Sequence, residues 1–207
     1  KTLKLDRGIL IVFEGIDGTG KSTQCALLAD SLNAQQVPNI ALAEPTRGEW
    51  GMKIRRILNE GRQGISPEEE LSWFIKDRQD DIKQNISPAL QDNKVVIMDR
   101  YYYSTAAYQG ALGPDPEKIR LENETFAPIP DLVLIFLTSP ETCLERIEAS
   151  RDQKSAFEKL DYLNHVQDIF KSFTGPNIRF MESVGSVSEV HEKVLSQVND
   201  ILNLELT

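Results

Sequence analysis

The chain has 207 residues, with 23 Lys and Arg against 32 Asp and Glu, for a formal net charge of −9. A composition that is 40% hydrophobic and 27% charged suits a globular chain able to bury a sizeable core, and it excludes wholesale disorder, collagen-like repeats and a disulfide scaffold. The acidic balance argues against binding nucleic acid or anionic membrane, so any anion handled here must meet local positive charge.

Ile9-Leu10-Ile11-Val12-Phe13 is a continuous apolar run of strand length, as a buried parallel strand requires. The apolar stretch from Gly8 to Phe13 is too short for a signal-peptide core, and no stretch approaches the roughly 18 apolar residues of a membrane span, so the cytoplasm is expected. A glycine-rich turn follows from Gly15 to Gly20, and from Lys21 onward Ala26, Leu27, Leu28 and Leu32 recur at helical spacing. Further strands are expected at Asn39 to Leu42, Lys94 to Met98, Leu132 to Leu137 and Asn177 to Met181. Helices are expected between them. Gly51 to Leu58 is short; a long one starts at Ser66-Pro67-Glu68-Glu69, a capping box with Pro at the first helical position, and runs to about Ser87, where Pro88 interrupts it. Pro140 to Glu148, Phe157 to Phe173 and Ser188 to Leu202 complete the set, the last covering the sheet. Strands alternating with helices predict one α/β domain over 1–207, a five-stranded parallel sheet with helices on both faces. Cys25 and Cys143 lie far apart without metal-ligand spacing and read as buried thiols in a reducing compartment; His165 and His191 read as surface residues.

Gly15-Ile16-Asp17-Gly18-Thr19-Gly20-Lys21-Ser22 satisfies G-x-x-x-x-G-K-[ST] between a strand and a helix, the context that the motif requires. Glycines let backbone N–H groups converge on phosphate oxygens, and the helix N-terminus adds its positive dipole end. Lys21 would reach the β- and γ-phosphates, and the Ser22 hydroxyl would ligate Mg²⁺. The N-K-x-D signature of guanine recognition is missing, since Asn93-Lys94-Val95-Val96 lacks its aspartate, so ATP is favoured over GTP. Asp99-Arg100-Tyr101 follows the strand at 94–98 and should emerge at its C-terminal end, where ligands of open α/β sheets gather. Asp99 is suited to hold Mg²⁺ through water, and Arg100 to neutralise an acceptor phosphate or the transferring group.

Phe13 to Gln24, with Asp99-Arg100-Tyr101 and the Ser104-Thr105-Ala106-Ala107-Tyr108-Gln109-Gly110 segment, resembles the thymidylate kinase family. Glu44-Pro45-Thr46, Phe74 through Arg78, Pro130-Asp131-Leu132 and Leu144-Glu145-Arg146-Ile147 extend the resemblance in family order. It implies a P-loop NTPase fold of the nucleoside monophosphate kinase type, with a short lid near 148–157. The implied reaction carries the γ-phosphoryl of Mg-ATP to dTMP, giving dTDP and ADP on the route to dTTP, in a homodimer. Residue by residue, it implies that Lys21, Arg100, Asp17 and Arg151 serve catalysis. Gly15, Ile16, Asp17, Gly18, Thr19, Gly20, Lys21, Ser22, Thr23 and Arg146 would bind ATP, with Ser22 and Asp99 on the metal. Acceptor contacts would come from Asp17, Glu44, Arg100, Ser104, Thr105 and Gln109. Phe74 would stack on thymine, Arg78 would donate to a thymine carbonyl, and Tyr108 would sit beside the sugar 2′ position. Phe74 and Arg78 are four apart and share one helix face, as an aromatic plane with a forked donor should; the alternative is that Phe74 is core beside Trp73.

Three departures qualify the resemblance. The family's arginine before Glu-Pro is Ala43, and its following Gly-Gly is Thr46-Arg47, so Arg47 is expected to substitute at the acceptor phosphate. The lid is arginine-poor, with Gln153 and Ala156 at two positions where many members carry Arg, and the phosphate loop has none. Six cations, Lys21, Arg47, Arg78, Arg100, Arg146 and Arg151, are expected to converge on one cleft, and the acidic excess to lie on outer helix faces at 66–81 and 117–124. The alternatives are a kinase for UMP or dCMP, or an ATP-binding regulatory protein without phosphotransfer.

Overall fold

The structure is a computed structural model that describes residues 4–147 and 153–207, without the side chains of 153–158. Five parallel strands form one sheet: β1 (Ile9–Glu14), β2 (Asn39–Ala43), β3 (Val95–Asp99), β4 (Leu132–Leu137) and β5 (Ile178–Glu182), in the order β2-β3-β1-β4-β5. All five apolar runs expected from the sequence are strands. The central strand β1 is buried along its whole length because both of its faces are covered. Alternate residues serve opposite cores, since successive strand side chains point to opposite faces. Leu10, Val12, Val96, Met98, Val133 and Ile135 pack with Tyr101, Ala106 and Phe170, whereas Ile11, Phe13, Ile97 and Leu134 pack with Leu28, Leu32, Val190, Val194 and Val198.

Helix α1 (Lys21–Ala34) and α9 (Val187–Leu202) supply the second core, so the C-terminal region does cover the sheet. Helices α5 (Tyr102–Gly110) and α8 (Gln153–Ser172) supply the first. Cys25 and Cys143 are buried and free. Among the described residues no helix is long and apolar enough to cross a membrane. The chain leaves β1 toward one edge of the sheet and crosses back to β4 on the other side of β1 after β3. The C-terminal ends of β1 and β3 therefore open a crevice at a topological switch point, and the loops after both strands meet there.

Two expectations need correction. Helix α3 (Pro67–Asp81) does begin on the Ser66 cap, whose side chain accepts from the Glu69 N–H, but Pro88 does not end the helical path. A π-helical turn at Ile82–Ile86 sends the Ser87 N–H back to the Ile82 carbonyl and shifts the ladder by one residue. Pro88 then lies at the start of α4 (Ser87–Gln91), where an N–H is dispensable. Helix α5 was not expected from periodicity. It is buried at every residue from Tyr102 to Gly110 except Tyr108, so it shows no amphipathic stripe, and its tyrosines are indifferent helix formers.

Helix α2 (Glu49–Glu60) carries Gly51 hard against the loop that follows β2. A Cβ on Gly51 would lie 2.1 Å from the Thr46 carbonyl oxygen, an overlap with backbone that no side-chain rotation relieves. Gly51→Ala is expected to lose about 1–3 kcal/mol of stability, read as a lower urea midpoint. A midpoint equal to that of the wild type would show that α2 and this loop are not in fixed contact.

Candidate active site

The loop Gly15–Ser22 turns sharply out of β1. Gly15 has φ +130°, and a Cβ there would lie 2.5 Å from the Phe136 carbonyl oxygen, so only glycine permits this approach to β4. Lys21, the first residue of α1, is buried; its Nζ donates to the Ile16 carbonyl at 2.8 Å and to Thr19 Oγ1 at 3.3 Å. Burial, and after it the Arg100 guanidinium, pull the Lys21 ammonium down to about 7 against Asp17, Asp99 and Glu14. Phosphate oxygens at the loop would reverse that shift. The Ile16 side chain belongs to the core and the Thr19 hydroxyl donates to Ile16, so the nucleotide contacts expected of these two narrow to the backbone. Asp17, Gly18, Gly20, Lys21, Ser22 and Thr23 line one end of a cleft of about 740 Å³.

The end of β3 brings its own residues to the same place. Ser22 Oγ donates to Asp99 Oδ2 at 2.6 Å, so the two expected metal ligands meet, and a hydroxyl with a carboxylate is a hard oxygen pair suited to Mg²⁺. Arg100 adopts φ +73° and its backbone N–H donates to the Phe13 carbonyl at 2.9 Å. Its Nη1 donates to the Gly15 carbonyl at 2.9 Å and to Ser104 Oγ at 2.8 Å, while Nη2 pairs with Asp17 Oδ1 at 2.6 Å. The guanidinium also lies 5.0 Å from the centroid of the Tyr108 ring, whose hydroxyl accepts from the Asp17 N–H at 3.0 Å. One arginine thus ties the phosphate loop to α5.

The far end of the cleft is built on α3 and α5. Arg78 is buried: Nε donates to Glu44 Oε2 at 2.8 Å, Nη1 to Asn123 Oδ1 at 2.7 Å and Nη2 to Thr105 Oγ1 at 3.0 Å. Nη2 also lies 2.6 Å from Glu44 Oε2, so four of its five N–H groups face protein acceptors and one on Nη1 is left for a ligand carbonyl. Phe74, one helical turn away, lines the cleft and is half-buried rather than core. Gln109 is buried at the wall with neither amide atom partnered among the described residues, leaving a donor and an acceptor open at the cleft. Glu44, Ser104, Thr105 and Tyr108 line the same cavity. Tyr102 and Tyr103 instead pack in the core, as does Tyr101, which also borders the cleft.

A phosphate loop facing a pocket of this composition has relatives. The thymidylate kinase family model matches residues 13–194. The chain is 42% identical over 198 residues to a thymidylate kinase of Desulfotalea psychrophila, covering 95% of this chain and 97% of that protein. It is 41% identical over 197 residues to a probable thymidylate kinase of Archaeoglobus fulgidus, covering 95% and 98%. This chain belongs to the thymidylate kinase family. The crystal structure of thymidylate kinase from Ehrlichia chaffeensis superposes with a TM-score of 0.73 at 26% identity, over 93% of this chain and 99% of that one.

Against the family pattern, the expected gathering of cations is only partly met. Lys21, Arg78 and Arg100 line the cleft, and Arg146, on α7 (Pro140–Ile147), reaches the phosphate loop through Nη1 to the Gly18 carbonyl at 2.9 Å. Arg47 does not join them: it is exposed and lies off the cleft wall. The reason is local. Asp77 accepts from both the Thr46 N–H at 2.8 Å and the Thr46 hydroxyl at 2.6 Å, pinning the chain one residue before Arg47. Of the lid expected at 148–157, residues 148–152 lie outside the described residues, Arg151 among them; the backbone is helical from Gln153.

Two cations that the sequence reading missed stand on the wall instead. Arg55, on α2, donates to the Thr46 carbonyl through Nε at 3.2 Å and to the Pro45 carbonyl through Nη2. Arg62 pairs with Glu70 at 2.7 Å, and Glu70 is only 1% exposed. Position in α2 was the available signal, since Arg55 lies one turn beyond the Gly51 contact. The acidic faces also differ from expectation: Glu68, Glu69 and Asp80 face solvent, but Glu70, Asp77 and Asp81 are buried.

Buried acids crowd the Arg78 end. Burial pushes Glu44 up to about 8; Arg78 opposes the rise, and Asp81 and Asp77 add to it. Glu44 Oε1 and Asp81 Oδ2 are both buried without a donor among the described residues, and burial raises Asp81 too. From 4.5 to about 8 the folded state therefore holds a proton that the unfolded chain has released, and this cluster's contribution to stability declines as pH rises through that window. Asp81→Asn removes a like charge and supplies an amide donor, lowering the Glu44 pKa. Its urea midpoint is expected to fall less steeply than the wild type's between pH 5 and 8; parallel slopes would show that Asp81 does not help to raise Glu44.

Proposed function

We propose that this chain transfers the γ-phosphoryl group of ATP to the 5′-phosphate of dTMP, yielding dTDP and ADP in the supply of dTTP, as a single kinase domain. The observation that carries the reading is the single cleft in which Arg100 and Asp17 join a phosphate loop to the Phe74, Arg78, Tyr108 and Gln109 pocket. Membership of the thymidylate kinase family supports the same chemistry. A homodimer, on the strength of the family resemblance alone, and a place in the cytoplasm are part of the proposal.

The loop N–H groups and Lys21 hold the triphosphate, with Arg146 and Arg151 adding charge on the ATP side. Ser22 and Asp99 would hold Mg²⁺, which supplies charge neutralisation on the phosphates. Phe74 stacks on thymine, Arg78 and Gln109 address its polar edge, and Thr105 and Glu44 hold Arg78 in place. Tyr108 stands beside the sugar, disfavouring a 2′-hydroxyl. Asp17 faces the sugar, and Arg55 takes the acceptor-phosphate role expected of Arg47. An acceptor phosphate oxygen bonds to the γ-phosphorus, the bond to the β–γ bridging oxygen breaks, and its electron pair stays on ADP. The attacking group is already ionised near neutral pH, so no general base is needed. Arg100 and Lys21 stabilise charge on the transferring group, and enclosure of the cleft keeps water out.

ADP release with Mg-ATP, measured against dTMP, dUMP, dCMP, UMP and no acceptor, tests the reading. Turnover should be greatest with dTMP; ATP consumption independent of acceptor would overturn it in favour of an ATPase. Arg55→Ala is expected to raise the KM for dTMP about tenfold or more, the worth of one charge-assisted hydrogen bond, while Arg47→Ala leaves it unchanged. The opposite pattern would return the acceptor role to Arg47.

A further inference from the structure

We propose that Glu14 is the positioning residue for Arg100, holding both its backbone and its guanidinium in place for phosphoryl transfer. The inference rests on the kinase reading above and adds to it a residue outside the cleft wall. Glu14 ends β1, is fully buried and lies beneath the loop after β3.

Arg100 occupies a left-handed backbone conformation at φ +73°, which is strained for a residue with a Cβ. Such a conformation persists only when the surroundings fix it. Two consecutive residues of β1 do so. The Phe13 carbonyl accepts the Arg100 N–H at 2.9 Å, and Glu14 Oε1 accepts the next N–H, that of Tyr101, at 2.8 Å. Oε1 also takes the Ser104 N–H at 3.3 Å, so the carboxylate serves as an anionic cap for the N-terminus of α5, where Tyr101 offers no capping side chain.

The second oxygen controls the side chain. Ser104 Oγ donates its proton to Glu14 Oε2, which turns a lone pair toward Arg100 Nη1 at 2.8 Å. With the hydroxyl committed this way, Arg100 is held between Ser104, the Gly15 carbonyl and Asp17. A protonated or amide side chain at position 14 cannot accept from Ser104 in the same manner, because one of its two ends becomes a donor. The groups that face Glu14 electrostatically are Arg100 and Arg78, and Lys21 feels it in turn. Burial pushes the carboxyl up to about 7, with Ser104 and Arg100 opposing the shift. The positioning carboxylate is therefore progressively lost as pH falls below about 7.

Glu14→Gln tests the inference. The variant should lose about tenfold or more in kcat with KM for ATP within about twofold, since Lys21 is untouched while the charge that Arg100 brings to the transferring group is misplaced. The acid limb of the wild-type kcat profile near 7 should also disappear. Ser104→Ala keeps the carboxylate and its backbone bonds, and should lower kcat while retaining the acid limb. Arginine side-chain NMR provides a readout independent of turnover: resolved, slowly rotating Nη signals of Arg100 in the wild type should collapse in Glu14→Gln. A wild type that phosphorylates no monophosphate would sink the kinase reading while leaving this NMR comparison to judge Glu14. Wild-type kcat and an unchanged pH profile in Glu14→Gln, or Arg100 signals the same in both proteins, would overturn the proposal. So would unchanged kcat in Ser104→Ala.

Discussion

The bond between Arg100 and Asp17 joins the two strand ends on which the cleft depends. Asp17 belongs to the loop after β1 and Arg100 to the turn after β3, and each alone would be a flexible charge at a loop tip. Their contact at 2.6 Å, together with the bond from Arg100 to the Gly15 carbonyl, makes phosphate loop and acceptor pocket one body. Preorganisation of this kind matters for phosphoryl transfer, where the protein supplies position and charge rather than covalent chemistry. The strained Arg100 backbone is the counterpart of that order, offset by bonds from neighbouring β1 residues.

The same arrangement recurs along the cleft. Arg78 is held by Glu44, Arg62 by Glu70, and Arg100 by Asp17 directly and by Glu14 through Ser104. Ion pairs taken out of water add little net stability, because desolvation offsets their attraction. Their consequence here is fixed geometry for cations that would otherwise wander. A chain with a net charge of −9 can thus present a cationic cleft, because part of its acidic excess is spent beneath the arginines and not on the outer surface. Glu70, Asp77 and Asp81 read from composition as a solvated helix face, yet each is buried.

How far the sequence was legible depended on the range of the interaction involved. Strands were legible because a strand covered on both faces must be largely apolar, as β4 is throughout and β1 is up to Glu14. The phosphate loop was legible because local backbone geometry dictates its glycines and the lysine that follows. Phe74 and Arg78 came from the family resemblance, and their spacing of four, one helical turn, agrees with it. Helix α5 was hidden by burial all round, which erases periodicity. The π-turn before Pro88 was hidden because the shifted ladder leaves no compositional mark.

By itself, then, the amino-acid order determined the α/β class, the place of the phosphate loop and the residues that converge on it from the ends of β1 and β3. It did so because each of those signals is written within one turn, one strand or one helix face. Tertiary structure decided which cations reach the cleft. The order of residues pointed to Arg47 and gave no sign of Arg55. The clamp of Asp77 on Thr46 and the seating of Gly51 against the Thr46 carbonyl turn Arg55 to the wall and leave Arg47 in solvent. Tertiary structure also placed Glu14 beneath Arg100, 86 positions along the chain, a partnership made only when β3 pairs beside β1.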